Sequence, residues 1–285
     1  MLDQTKFETM KRLFLLMGFV ASAILFYSCD SPRTTETATN NNEAMDNQAE
    51  ERGISFTPIT DTPDFPDAIL EMNQPTDGSN VQPGNVRFSY NVKNYELGAQ
   101  TEDAHERHLA NSHQGKHIHL ILNNEPYTAH YEPEFQRELQ AGHYVALSFL
   151  SRSYHESLKH PSAYILRQFR IGNASSEPVD LNAPHMFYSR PKGDYEGEDT
   201  HRVMLDFYLV NTELSPNGNK VRATINGEEF MIDEWQPYAM EGLPMGETTI
   251  KLELLDQNNN VIPGPYNTVT RTITLKGGTE GQARN

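Results

Sequence analysis

His117 and His119 stand two residues apart in the stretch Gly115-Lys-His-Ile-His-Leu-Ile-Leu-Asn-Asn124. As a β-strand, this stretch projects both imidazoles from one face, about 7 Å apart along the chain. Two neutral imidazoles so placed can share one divalent transition metal, and imidazole suits Cu(II), Zn(II) or Ni(II). Just upstream, residues 99–114 hold His105, His108 and His113 with the acids Glu102, Asp103 and Glu106. A third ligand is expected from that loop. His130, after the next turn, and His143, at the start of a later strand, are further candidates.

The same pattern has a plainer explanation. A His-x-His pair on an exposed strand face is an ordinary polar surface and needs no ligand. Three imidazoles within about 4 Å of one point would favour a metal. Histidines splayed into solvent would favour a polar surface, and an aromatic groove elsewhere would favour a protein or glycan ligand.

The positioning elements emerge from an internal repeat. Tyr90-Asn-Val-Lys-Asn-Tyr-Glu-Leu97 aligns with Phe207-Tyr-Leu-Val-Asn-Thr-Glu-Leu214, and Gly115 to Tyr127 with Gly218 to Phe230. Leu139-Gln-Ala-Gly142 aligns with Leu243-Pro-Met-Gly246, and Ile165 to Ile171 with Val269 to Leu275. The offset between copies falls from 117 at Tyr90 to 103 at Gly115, so residues 99–114 include an insertion peculiar to copy one. Copy two also has Lys220 and Arg222 where copy one has His117 and His119.

Each copy reads as all-β. Val145, Leu147, Phe149 and Ile250, Leu252, Leu254 recur at period two, which predicts core-facing positions of half-buried strands. By the same parity Ile118, Leu120 and Leu122 face the core, leaving the histidine pair on the outer face. Asn226-Gly227 is a strong hairpin turn signal and Asn123-Asn124 a weaker one. Pro75 and Pro191 mark matching first-strand boundaries. A short helix is allowed over 133–139, and Arg167 and Arg271 are expected to pair with acids across the sheet. Short strands in copies of about 100 residues predict two tandem immunoglobulin-like β-sandwiches.

Lys11 and Arg12 precede an apolar run from Leu13 to Tyr27. That run is short for a transmembrane helix and suits a secretory signal, with translation starting at Met1 or at Met10. Removing residues 1–28, which carry a net +1, takes the formal charge from −16 to −17. So acidic a chain repels nucleic acid and attracts cations or basic partners. Asp30 to about Arg52 is polar and reads as a flexible tether. No Gly-x-Ser-x-Gly elbow, His-Glu-x-x-His helix or phosphate loop is present. A hydrolytic metal site would need Glu102 or Glu106 to fold over the strand as a base.

Ser28 followed by Cys29, the only cysteine, resembles the lipobox of bacterial lipoproteins, with Phe26 where that motif has leucine. The resemblance implies lipidation at Cys29 and a membrane-anchored location in a Gram-negative cell envelope, periplasmic or surface-exposed. The strand from Gly115 and the later Leu139-x-x-Gly142-x-Tyr144 pattern are similar to an uncharacterised envelope β-sandwich family with a Gly-His-His-His-Leu strand. Lys116 replaces the first of those three histidines. The expected organisation is a signal at 1–28, a lipidated tether at 29–55, sandwiches at 56–173 and 182–276, and a disordered tail at 277–285. The expected function is non-enzymatic binding, either of Cu or Zn through the histidines or of an envelope protein or glycan without a metal.

Overall fold

A computed structural model describes residues 53–175 and 177–278, so the expected signal, Cys29 and most of the tether lie outside the described residues. The described strands run β1 (Ser55–Pro58), β2 (Ile69–Gln74), β3 (Asn80–Val81), β4 (Gly84–Lys93), β5 (His117–Leu122) and β6 (Thr128–His130). They continue with β7 (Glu134–Leu139), β8 (Gly142–Ser151), β9 (Tyr164–Ile171), β10 (His185–Arg190), β11 (Asp194–Glu196) and β12 (Val203–Val210). The last five are β13 (Lys220–Ile225), β14 (Glu228–Ile232), β15 (Tyr238–Glu241), β16 (Gly246–Leu255) and β17 (Thr268–Lys276).

The copies share one topology. In the first, β2-β4-β7 faces β3-β9-β8-β5-β6; in the second, β15-β12-β10 faces β11-β17-β16-β13-β14. In each, the opening strand switches sheets, and its second part runs parallel to the last strand. Both are immunoglobulin-like sandwiches. The peptide bonds before Pro75 and Pro191 are both cis and sit at the break between those two parts. Asn123-Asn124 and Asn226-Gly227 all have positive φ, as type I′ hairpin turns require.

Separate cores fill the two sandwiches. Val86, Phe88, Ile118, Leu120, Ala146, Leu150 and Phe169 meet in the first, and Leu205, Phe207, Val221, Ala223, Leu252 and Ile273 in the second. A third apolar cluster joins the copies: Ile121, Tyr127, Val145, Leu147 and Phe149 pack against Phe187, Tyr208, Val210 and Tyr266. Val145, Leu147 and Phe149 therefore do not face their own core, contrary to expectation. They lie on the outer face of β8, which the second sandwich covers. Strands β10 and β12 are buried on both faces for the same reason.

Polar contacts complete the interface. Asn124 at the first hairpin tip donates to the Tyr266 carbonyl at 3.1 Å and accepts from the Tyr188 amide at 2.8 Å. Arg271 donates to the Asn124 carbonyl at 2.9 Å rather than meeting an acid, and Arg167 reaches the Pro75 carbonyl. Residues 134–139 form β7 rather than a helix, because they pair with β4. Ser55–Pro58 were expected in the tether or first sandwich, but β1 pairs antiparallel with β15 of the second. Among the described residues no helix is long and apolar enough to cross a membrane.

Candidate metal centre

Strand β5 places His117 and His119 on one face, opposite Ile118 and Leu120. That face is not solvated. Both histidines are fully buried, beneath Tyr127, Tyr131 and the cover of the second sandwich. Their Nε2 atoms are 2.8 Å apart. The third imidazole is His155, whose Nδ1 lies 3.1 Å from His117 Nε2 and 3.4 Å from His119 Nε2. Among the described residues these three histidines form a group able to hold a metal ion.

A tetrahedral ion bonded to imidazole at about 2.0–2.1 Å spans ligand edges of about 3.3 Å. The observed triangle needs adjustments of only a few tenths of an ångström, with the ion roughly 1 Å out of its plane. One tautomer is fixed already. His117 Nδ1 is 2.7 Å from the Gly115 carbonyl, which can only accept, so Nδ1 carries the proton and Nε2 offers its lone pair. Gly115 is needed there: φ is +83°, and a Cβ would stand 2.4 Å from the Gly98 carbonyl oxygen.

The turn after β8 carries His155. The His155 amide donates to the Arg152 carbonyl and the Arg152 amide to the Glu156 carbonyl, closing residues 152–156. His155 sits at φ +72°. Histidine, with asparagine and aspartate, is among the non-glycine residues that take this conformation most readily, and here it turns a partly buried imidazole toward the pair. Copy two supplies the comparison. There the same turn runs from Asp256 to Asn260, and Asn259 takes the positive-φ position at +63°. Lys220, Arg222 and Asn259, the counterparts of the three histidines, line one open pocket of about 390 Å³, where Arg222 pairs with Glu253 at 2.7 Å.

The loop histidines do not converge on the pair. His105, His108 and His113 are exposed, and His108 borders an open pocket with Glu198, Asp199 and His201. The loop instead braces the His155 turn. The Thr101 and Ser153 amides each donate to the other's hydroxyl, the Ser112 amide donates to the Ser153 carbonyl, and Ala104 and Leu109 pack with Tyr154. His130 bonds Thr128 Oγ1 at 2.7 Å and stacks on Phe135; His143 bonds Gln168 at 3.0 Å. Neither joins the cluster. Sequence reasoning missed His155, although the constant offset of 104 from Gly142/Gly246 to Ile171/Leu275 aligns it with Asn259.

No protein-family model matches the chain, and no curated protein matches it. Solved structures do. The fibronectin(III)-like modules of Clostridium thermocellum CbhA are 11% identical over 76% of this chain and 99% of that one, with a TM-score of 0.27. SGBP-B of the Bacteroides ovatus mixed-linkage glucan utilization locus, in complex with a mixed-linkage heptasaccharide, is 10% identical over 75% of this chain and 48% of that one, at 0.22. The two tandem V-type regions of VCBP3, a v-region-containing chitin binding protein, are 9% identical over 73% and 99%, at 0.20. Likenesses this distant carry nothing to the histidine site.

Electrostatics keep the three imidazoles neutral. Burial pushes His117 down to about 4, assisted by Arg190 and Lys192 and opposed by its bond to Gly115. Burial also drives His119 and His155 well below the ordinary value, with neighbouring imidazoles and cations adding to it. Neutral imidazole is the form that binds metal. It also sets a pH dependence for the metal-free protein. The unfolded chain protonates these histidines near 6.5 and the folded chain only well below, so stability is present above 6.5 and is lost as pH falls toward 4. Between pH 7 and 5.5, His117 alone removes about 1 kcal/mol, and His119 and His155 act in the same direction. Urea unfolding in chelator is expected to show a lower midpoint at pH 5.5; an unchanged midpoint contradicts neutral burial.

Proposed function

We propose that this chain is a non-enzymatic envelope protein whose first sandwich holds one divalent copper or zinc ion through His117, His119 and His155. One observation carries the reading: imidazole nitrogens of two fully buried histidines and one partly buried histidine converge at 2.8, 3.1 and 3.4 Å. Neutral nitrogen donors suit both metals. Enclosure beneath the second sandwich favours sequestration or delivery over turnover, because a catalytic ion needs a position open to substrate. The leader ending in Ser28-Cys29 supports anchorage through lipid on Cys29, with the acidic tether holding the sandwiches off the membrane. Palmitate labelling that Cys29→Ser abolishes is expected, and an unlabelled wild-type protein contradicts the anchor.

Calorimetric titration of residues from about Ile54 onward with Cu(II) and Zn(II) tests the metal. One ion per chain is expected at sub-micromolar affinity, lost in His117→Ala/His119→Ala and kept in His105→Ala/His108→Ala/His113→Ala. Weak binding that the double variant leaves unchanged would sink the proposal.

A second reading, a structural or adhesion module for a protein or glycan, draws on an open cleft of about 660 Å³. Pro161, Tyr164, Tyr208 and Trp235 line it with Lys159. Aromatic faces beside polar groups suit ligands with an apolar and a hydrogen-bonding side. Glycan binding that resists chelator and that Trp235→Ala abolishes would establish this reading in place of the first.

A further inference from the structure

We infer that Tyr127 is the fourth protein ligand of the ion, bound through its phenol oxygen as phenolate. The inference rests on the metal reading above and fills the position that three histidines leave open.

Tyr127 opens the segment that returns from the first hairpin, and its side chain is buried against the cluster. Its hydroxyl lies 3.3 Å from His155 Nδ1, the length of a ligand edge in a tetrahedral site. Its ring lies on that of His119, centroids 3.6 Å apart and 19° from parallel, so the aromatic packing that fixes His119 also fixes the phenol. Copy two places an oxygen donor at the same corner. The sequence alignment sets Tyr127 against Phe230, but the strand register, which pairs Leu120 with Thr128 and Ala223 with Phe230, makes Glu229 its counterpart instead. Glu229 faces Arg222, the counterpart of His119, at 3.9 Å.

Charge gives the second argument. Three neutral imidazoles bring no negative charge to a dication. Arg190 and Lys192 are already close: Arg190 donates to the Tyr127 hydroxyl at 3.0 Å, while Lys192 sits 4.0 Å over the Tyr127 ring and donates to its carbonyl at 2.7 Å. Arg190 is buried, and its guanidinium meets that hydroxyl and the face of Tyr195; among the described residues no carboxylate forms an ion pair with it, and Asp199 acts on it from farther off. An ion and two cations in a buried site call for an anionic donor. Tyr127 supplies one at hydrogen-bonding distance from both Arg190 and the histidine cluster. On binding, the phenol O–H bond breaks, the proton leaves to bulk water, and the oxygen lone pair forms the bond to the ion. The oxidation state of the ion does not change.

Cu(II) is the probe, because a phenolate ligand gives it a visible charge-transfer band and characteristic ring modes in resonance Raman spectra. The full chain loaded with one Cu(II) is expected to show both. Tyr127→Phe is expected to keep one copper per chain and lose both signatures. Tyr131→Phe is expected to keep them, and since among the described residues Tyr127, stacked on His119, and Tyr131, tilted against His117, are the tyrosines whose rings meet the pair, that variant decides the question even should Tyr127→Phe not fold. Copper bound in a His117- and His119-dependent way without the band, a band that survives Tyr127→Phe, or one that Tyr131→Phe abolishes, overturns the inference and leaves the metal reading standing. No copper binding at all overturns both.

Discussion

His155→Asn is expected to leave the protein folded and to weaken metal binding by more than about 100-fold, beyond the 10–100-fold typical of losing an outer-shell partner. Few substitutions separate a ligand from its scaffold so cleanly. Asparagine tolerates positive φ, and Asn259 already occupies the equivalent turn of the second sandwich at φ +63° against +72° for His155. The turn bonds of Arg152, His155 and Glu156 are backbone bonds and do not need the imidazole. Calorimetry gives the affinity, and thermal unfolding in chelator gives the fold. Excess zinc should raise the wild-type stability by about 4 kcal/mol at a thousand times its Kd, and the variant at the same concentration by no more than about 1.4 kcal/mol. Wild-type affinity in a folded His155→Asn would remove His155 from the site.

Lys159→Ala is expected to destabilise the whole folded region by about 3–5 kcal/mol, the range for stripping one partner from a buried ion pair. Lys159, from the first sandwich, bonds Asp206 Oδ1 at 2.5 Å, and the Ser157 amide bonds the other oxygen at 3.1 Å. Asp206 lies on β12 and is fully buried. Without Lys159 it keeps one amide for a whole charge. The pair stands beside the apolar contact of Phe149 with Tyr208, where the sandwiches join. Its loss should therefore lower one cooperative transition rather than that of a single sandwich. Urea unfolding measures this, with Lys159→Ala/Asp206→Ala expected to recover part of the loss. Arg87→Ala, which breaks the exposed pair with Glu134, should hardly move the midpoint. An effect from Lys159→Ala as small as that would mean the interface does not depend on the pair.

The repeat made the architecture legible. Matching hairpin turns, the paired prolines and the period-two runs describe two sandwiches, and these are the features the strand order displays. The interface was legible only by carrying the offset of 104 through β8. Val145, Leu147 and Phe149 then align with Thr249, Lys251 and Glu253, an apolar outer face against a polar one. Period two alone cannot tell which face of a strand is the core when both are buried. The histidine pair was legible because strand parity is a local property. His155 was not, because its approach depends on a turn held by a distant insertion, where Thr101 meets Ser153 across 52 residues. The richer display of histidines on that insertion drew the expectation instead, and they stand exposed. Tyr127 and Arg190 come from different sandwiches, and no local pattern brings them together.

X-ray absorption of the zinc-loaded protein tests the central claim most directly. Three imidazole ligands at about 2.0–2.1 Å, reduced in His155→Asn, is the predicted result. A zinc ion bound mainly by water and carboxylate oxygens, with a spectrum indifferent to His155→Asn, would place the metal elsewhere and leave the buried histidines as packing.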